Sequence, residues 1–93
     1  MNKQKLIEYF EFAINNNYKY IAVQIKIENC KEPEIIINKR NNFEFKLDYY
    51  EKSYNDQLEL NHCKDIKIIN VCIGNSFNEL ENMLKWFLKR LFT

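Results

Sequence analysis

The chain contains one glycine, one proline, one histidine and one tryptophan. Each scarcity excludes something. With a single glycine, Gly74, there is no glycine-rich phosphate loop and no nucleophile elbow, since both need several residues free of Cβ. With Pro33 as the only proline there is no flexible or polyproline linker, and no internal repeat is visible, so residues 1–93 read as a single domain. One histidine, His62, leaves little material for acid–base or metal chemistry. Charge of either sign in excess is also missing. The formal net charge is +1 and the pI about 7.7, unlike the clear positive excess of most nucleic-acid binders and unlike a globally acidic mimic of DNA. No apolar run approaches the roughly 20 residues of a membrane span, and the segment Met1–Phe10 alternates charged and apolar residues without a signal-peptide core.

The three cysteines, Cys30, Cys63 and Cys72, are odd in number and have no motif spacing. A structural zinc site uses four ligands, usually in close pairs. Adjacent His62 and Cys63 do not point at one ion, and neither do they give the thiolate–base geometry of a cysteine enzyme. We expect reduced thiols in an intracellular, cytoplasmic protein, no metal, no cofactor and no catalysis. What the chain has in quantity is apolar and aromatic side chains, 46% and 15% of residues, well above a disordered chain. At this length about 60–65% of the unfolded surface can be buried.

The chain is organised around Ile66 to Phe92. Ile66, Ile68, Ile69, Val71, Cys72 and Ile73 form a β-branched run broken only by Lys67 and Asn70, which predicts a buried strand. Gly74 follows, suited by its freedom at positive φ to a sharp turn. Ser76 and Glu79 then have capping-box spacing, in which the serine hydroxyl takes the Glu79 amide and the glutamate reaches back to the Ser76 amide. Phe77, Leu80, Leu84, Phe87, Leu88 and Leu91 fall on one helical stripe, widened by Met83 and Phe92. Trp86 points away from it, among Glu79, Asn82, Lys89 and Arg90.

Upstream, Asn2 is placed to cap a helix carrying Leu6, Ile7, Phe10, Ala13 and Ile14, ended by Asn15–Asn17. From Tyr18 to Glu28 the period becomes two, with Ile21, Val23, Ile25 and Ile27 inward and Tyr20, Ala22, Gln24 and Lys26 outward. A turn through Pro33 leads to a second strand at Ile35–Ile37, paired as a hairpin. Asn41 and Asn42 read as a cap for a helix with Phe43, Leu47, Tyr50 and Tyr54 on one stripe; the rival is a strand from Phe43 to Leu47. Asn55–Asp65 reads as loop with a short extended piece at Leu58–Leu60. The order α-β-β-α-β-α predicts an α+β fold, a small three-stranded mixed or antiparallel sheet with helices packed on it and the isoleucine faces buried under Phe10, Leu84 and Phe87.

Two surface features favour binding. Glu44, Asp48 and Glu51 fall together on one side of the middle helix, with Phe45 and Tyr49 nearby, and Glu28, Glu32 and Glu34 around the hairpin turn could extend them. The bland reading is a solvated face relieved by Lys46 and Lys52; the functional one is an acidic strip that meets an arginine-rich groove, anchored by Tyr49. The second feature is Trp86 with Lys85, Lys89 and Arg90, the composition of an interface anchor or a base-stacking platform. The bland reading there is Trp86 packed on Tyr18 or Tyr20.

At Lys31-Glu32-Pro33-Glu34-Ile35-Ile36-Ile37-Asn38, followed by Asn42-Phe43 and Tyr49-Tyr50, the chain resembles small proteins of phages and mobile elements in low-GC Gram-positive bacteria. The likeness covers most of the chain in style and layout, and some such proteins are anti-CRISPR proteins that occupy a nucleic-acid groove on the effector. The resemblance implies a protein-binding inhibitor, acting in the bacterial host's cytoplasm on a CRISPR-Cas effector, and transfers no site residue. The alternatives are a nucleic-acid-associated accessory protein using the Trp86 surface, disfavoured by the near-neutral charge, and a structural homodimer on the last helix.

Overall fold

The computed structural model of the chain describes residues 1–92, with side chains described as far as Lys85. Helix α1 runs over Lys3–Asn15, strand β1 over Tyr20–Ile27, β2 over Glu34–Lys39, α2 over Phe43–Ser53, β3 over Glu59–Leu60, β4 over Cys63–Gly74 and α3 over Phe77–Phe92. The fold is α+β, as the sequence predicts. The sheet has four strands rather than three, in the order β2-β1-β4-β3, and all three pairings are antiparallel. The extra strand is the short extended piece before β4. Asn55 organises the approach to it, its side-chain oxygen accepting from the Gln57 and Glu59 amides.

The local signals work largely as expected. The Asn2 side chain accepts from the Lys5 amide at 2.9 Å and starts α1; Asn17, at φ 58°, takes the left-handed conformation that ends it. The stripe is helical from Phe43 to Ser53, not a strand, because its period of 3.6 places Phe43, Leu47 and Tyr50 on one face; Tyr54, predicted to continue it, is extended and bridges to Leu60, though its side chain is buried. Asn42 makes no side-chain cap: a turn of 3-10 helix at Arg40–Asn42 leads into α2 instead. At α3 the Glu79 amide donates to the Ser76 hydroxyl at 3.2 Å, but the Glu79 carboxylate reaches the Asn75 amide rather than that of Ser76.

Gly74 does not take positive φ. Its role is a close approach: a Cβ there would lie 3.1 Å from Leu80 Cδ2 and 3.4 Å from the Glu79 carboxyl carbon. Glycine lets the first turns of α3 lie directly on the end of β4.

The helices sit on both faces of the sheet: Phe10 covers isoleucines as expected, but the expectation that Leu84 does so is corrected. Leu6, Phe10 and Ala13 of α1 and Phe43 and Tyr50 of α2 pack with Ile21, Val23, Ile25, Ile68 and Val71. Leu80 and Leu84 of α3 pack on the opposite face, against Ala22 and Cys72, while the Phe87 side chain lies outside the described residues. The face of β1 predicted to be outward is therefore covered: Ala22 and Gln24 are fully buried. Gln24 remains polar there, its side-chain oxygen accepting from Asn70 at 3.4 Å.

A bulge keeps β4 in phase. Gln24 pairs with Asn70 but Ile25 pairs with Ile68, leaving Ile69 over. Ile66 and Ile68 thereby share the α1–α2 face with Val71 and Ile73, although the two pairs differ in parity along the chain.

Candidate functional site

The outer face of α2 is built by exclusion. Phe43 and Tyr50 are sealed inward, where Phe10 meets them edge-on at centroid distances of 6.2 and 5.8 Å. Helical geometry then turns Glu44, Phe45, Asp48, Tyr49, Glu51 and Lys52 to solvent, and all six are exposed. Phe45 is 74% exposed and Tyr49 42%. One turn apart, they run beside the acidic residues. The structure thus brings together the predicted Glu44, Asp48, Glu51 and Tyr49, and it gives Phe45 more prominence than Tyr49.

The acidic strip is partly answered within the chain. Asp48 pairs with Lys52 at 3.0 Å. The Lys3 ammonium donates to the Glu51 backbone carbonyl at 2.8 Å, which sets a positive charge beside that residue. The Lys46 ammonium lies 5.4 Å from the Tyr49 ring centroid and 5.8 Å from that of Tyr50. Glu44 lines a cleft of about 270 Å³ with Ile14, Arg40, Asn41 and Phe43. The hairpin acids do not extend the strip at Glu44: the turn carrying Glu28 and Glu32 lies at the opposite end of β2 from Arg40 and the start of α2.

Burial raises the pKa of three groups here and nearby. The Tyr54 phenol is pushed up to about 12 by burial, with the Tyr49 and Tyr50 phenols adding to the shift. Tyr50 is raised by burial, an effect the Asn38 amide partly offsets. Cys72 is raised by burial, against a weak hydrogen bond from Asn70 at 3.6 Å. The thiol is thus held in its unreactive form, as befits a core side chain. Cys30 and Cys63 are free and exposed, and among the described residues no group of three or more His, Cys, Asp or Glu side chains could hold a metal ion.

The second predicted surface, Trp86 with Lys89 and Arg90, lies outside the described side chains. Lys85, its neighbour, pairs with Glu81 at 3.0 Å. The two tyrosines considered as packing partners for Trp86 each meet another ring: Tyr20 faces Phe77 at 4.8 Å and Tyr18 faces Phe12 at 5.8 Å. Sequence reasoning placed Phe77 in the buried stripe, but it is 55% exposed, as is Met83 at 41%. Together with Ile35 and Ile37 of β2, Phe77 edges an apolar hollow of about 470 Å³ beside α3. The alternation in Ile35-Ile36-Ile37 is the signal that could have found it, because a strand exposes every second residue on one face.

No known family, curated protein or solved structure matches the chain. No helix among the described residues is long and apolar enough to cross a membrane.

Proposed function

We propose that the protein is a binding module whose contact surface is the outer face of α2, and that it acts on a host protein by occlusion rather than catalysis. The observation that carries this reading is Phe45, 74% exposed at the centre of a face that also presents Tyr49, Glu44, Asp48 and Glu51. An exposed phenylalanine contributes little to the fold and costs solubility, whereas aromatic side chains are enriched where proteins meet. The acids set the partner's chemistry: a surface rich in arginine and lysine, of the kind that holds nucleic acid. With the resemblance to phage and mobile-element proteins, this makes the chain a phage-encoded inhibitor of a bacterial defence complex, a CRISPR-Cas effector, that fills a groove meant for nucleic acid.

The test is inhibition of CRISPR interference in a low-GC host, with binding to the purified effector measured alongside. Wild type should restore plasmid or phage survival. Glu44→Lys, Asp48→Lys and Glu51→Lys together should abolish inhibition while shifting stability by under about 1 kcal/mol, because exposed charges contribute little to folding. Undiminished inhibition by the folded triple variant would remove the acidic strip as the contact, and absence of inhibition by wild type would remove the inhibitor reading.

A further inference from the structure

We propose that the free edge of β2 is a self-association surface on which a second copy of this chain pairs, antiparallel and about a two-fold axis through Ile37. β2 is the outermost strand on one side of the sheet. The Arg40 amide donates to the Lys19 carbonyl, and the β1–β2 register runs without a shift from there to Ile25 and Glu34. Hydrogen-bonded pairs recur at every second residue of an antiparallel ladder. The amides and carbonyls of Glu34, Ile36 and Asn38 therefore face β1, while those of Ile35, Ile37 and Lys39 face outward. Edge strands are normally blunted by a charge, a proline or a bulge. Here Pro33 and Lys39 lie at the two ends, and the Ile35-Ile36-Ile37 centre has no such guard. Ile35 and Ile37 are 43% and 42% exposed.

The occupant follows from complementarity. An axis through Ile37 places the two Ile37 residues opposite each other, each amide donating to the other copy's Ile37 carbonyl. Ile35 then faces Lys39 of the second copy with outward-directed main-chain groups on both. Glu34 lies across from Arg40 of the second copy, the first residue of the 3-10 turn, opposite charges in both symmetric halves; both residues are exposed, and the Arg40 guanidinium also donates to the Asn17 side chain of its own copy. An axis through Ile36 instead sets Pro33, which has no amide, against Lys39 and leaves Glu34 facing Asn38. Of these two registers, the first satisfies the edge and matches its charges. It also joins the exposed isoleucines of the two copies into one apolar strip on the side of the sheet that carries α3.

The full chain is tested by sedimentation equilibrium over a concentration series. Wild type should dimerise. Ile37→Pro removes an outward-facing amide that bonds nothing among the described residues, so it should stay folded by circular dichroism and weaken the dimer by roughly tenfold or more through its two central bonds. Charge reversal gives a second arm independent of that variant. Glu34→Lys alone and Arg40→Glu alone set like charges together and should each dimerise more weakly, whereas an equimolar mixture restores opposite charges in both halves and should form the heterodimer. A wild type monomeric throughout the series overturns the proposal, as does a folded Ile37→Pro that dimerises like wild type or a mixture no tighter than its components. None of these results bears on the contact assigned to α2.

Discussion

Replacing Phe10 by alanine tests the centre of the molecule, and replacing Phe45 tests its surface. Phe10 is fully buried where α1, α2 and the sheet meet, with its ring edge-on to Phe43 and Tyr50. Removing a ring from such a site costs about 3–5 kcal/mol through lost transfer energy and the cavity left behind. A chain of 93 residues has a total stability of only about 5–14 kcal/mol. Phe10→Ala should therefore lower the melting temperature by about 12–40 °C, at about 4–8 °C per kcal/mol for a domain of this size. Urea unfolding followed by far-UV circular dichroism would report it as a lower midpoint at unchanged slope. Phe45→Ala, at a site 74% exposed, should stay within about 0.5 kcal/mol of wild type and lose partner binding instead. A cost below about 1 kcal/mol for Phe10→Ala would refute the seating of α1 on the sheet. Equal costs for the two variants would refute the assignment of inner and outer faces on α2.

Two further outcomes are expected. Because a Cβ at position 74 would meet the buried Leu80 at 3.1 Å, Gly74→Val should destabilise by about 1–3 kcal/mol and Gly74→Ala by less; neutrality of both in urea titrations would show that α3 is not held this close. Tyr50 and Tyr54 have phenols raised above the ordinary value of 10, Tyr54 to about 12, so the unfolded chain loses their protons first. Stability from this source should be flat below pH 10 and fall between pH 10 and about 12, by about 1.4 kcal/mol per pH unit for each phenol ionised only when unfolded. Tyr54→Phe should flatten that fall in alkaline urea titrations, and an unchanged slope would contradict the burial of the hydroxyl.

The chain's own order of residues determined the elements. Period and capping are local properties, carried by neighbours a few residues apart, and so Asn2, the Ile21–Ile27 alternation, the Phe43–Tyr54 stripe and the Ser76–Glu79 start of α3 could all be read directly. The set of solvent-facing residues on α2 was legible for the same reason, and so was the i,i+4 partner of Asp48, Lys52. The proximity of Lys3 to Glu51 was not, since 48 residues separate them.

Tertiary structure decided which faces are covered. A strand pattern of apolar and polar residues cannot say whether a helix will lie over the polar side, and α3 does so, packing Leu80 and Leu84 on Ala22 and leaving Phe77 at the rim. It also decided the phase of β4, where the extra residue Ile69 reconciles Ile68 with Val71, and that the short extended piece read at Leu58–Leu60 joins the sheet as β3 by pairing with β4. Gly74 shows the division most plainly: its position after a strand could be read, but its purpose is room for Leu80, six residues away and on another element. Local preferences are properties of the chain, whereas burial and close approach belong to pairs of elements and exist only once those elements are packed.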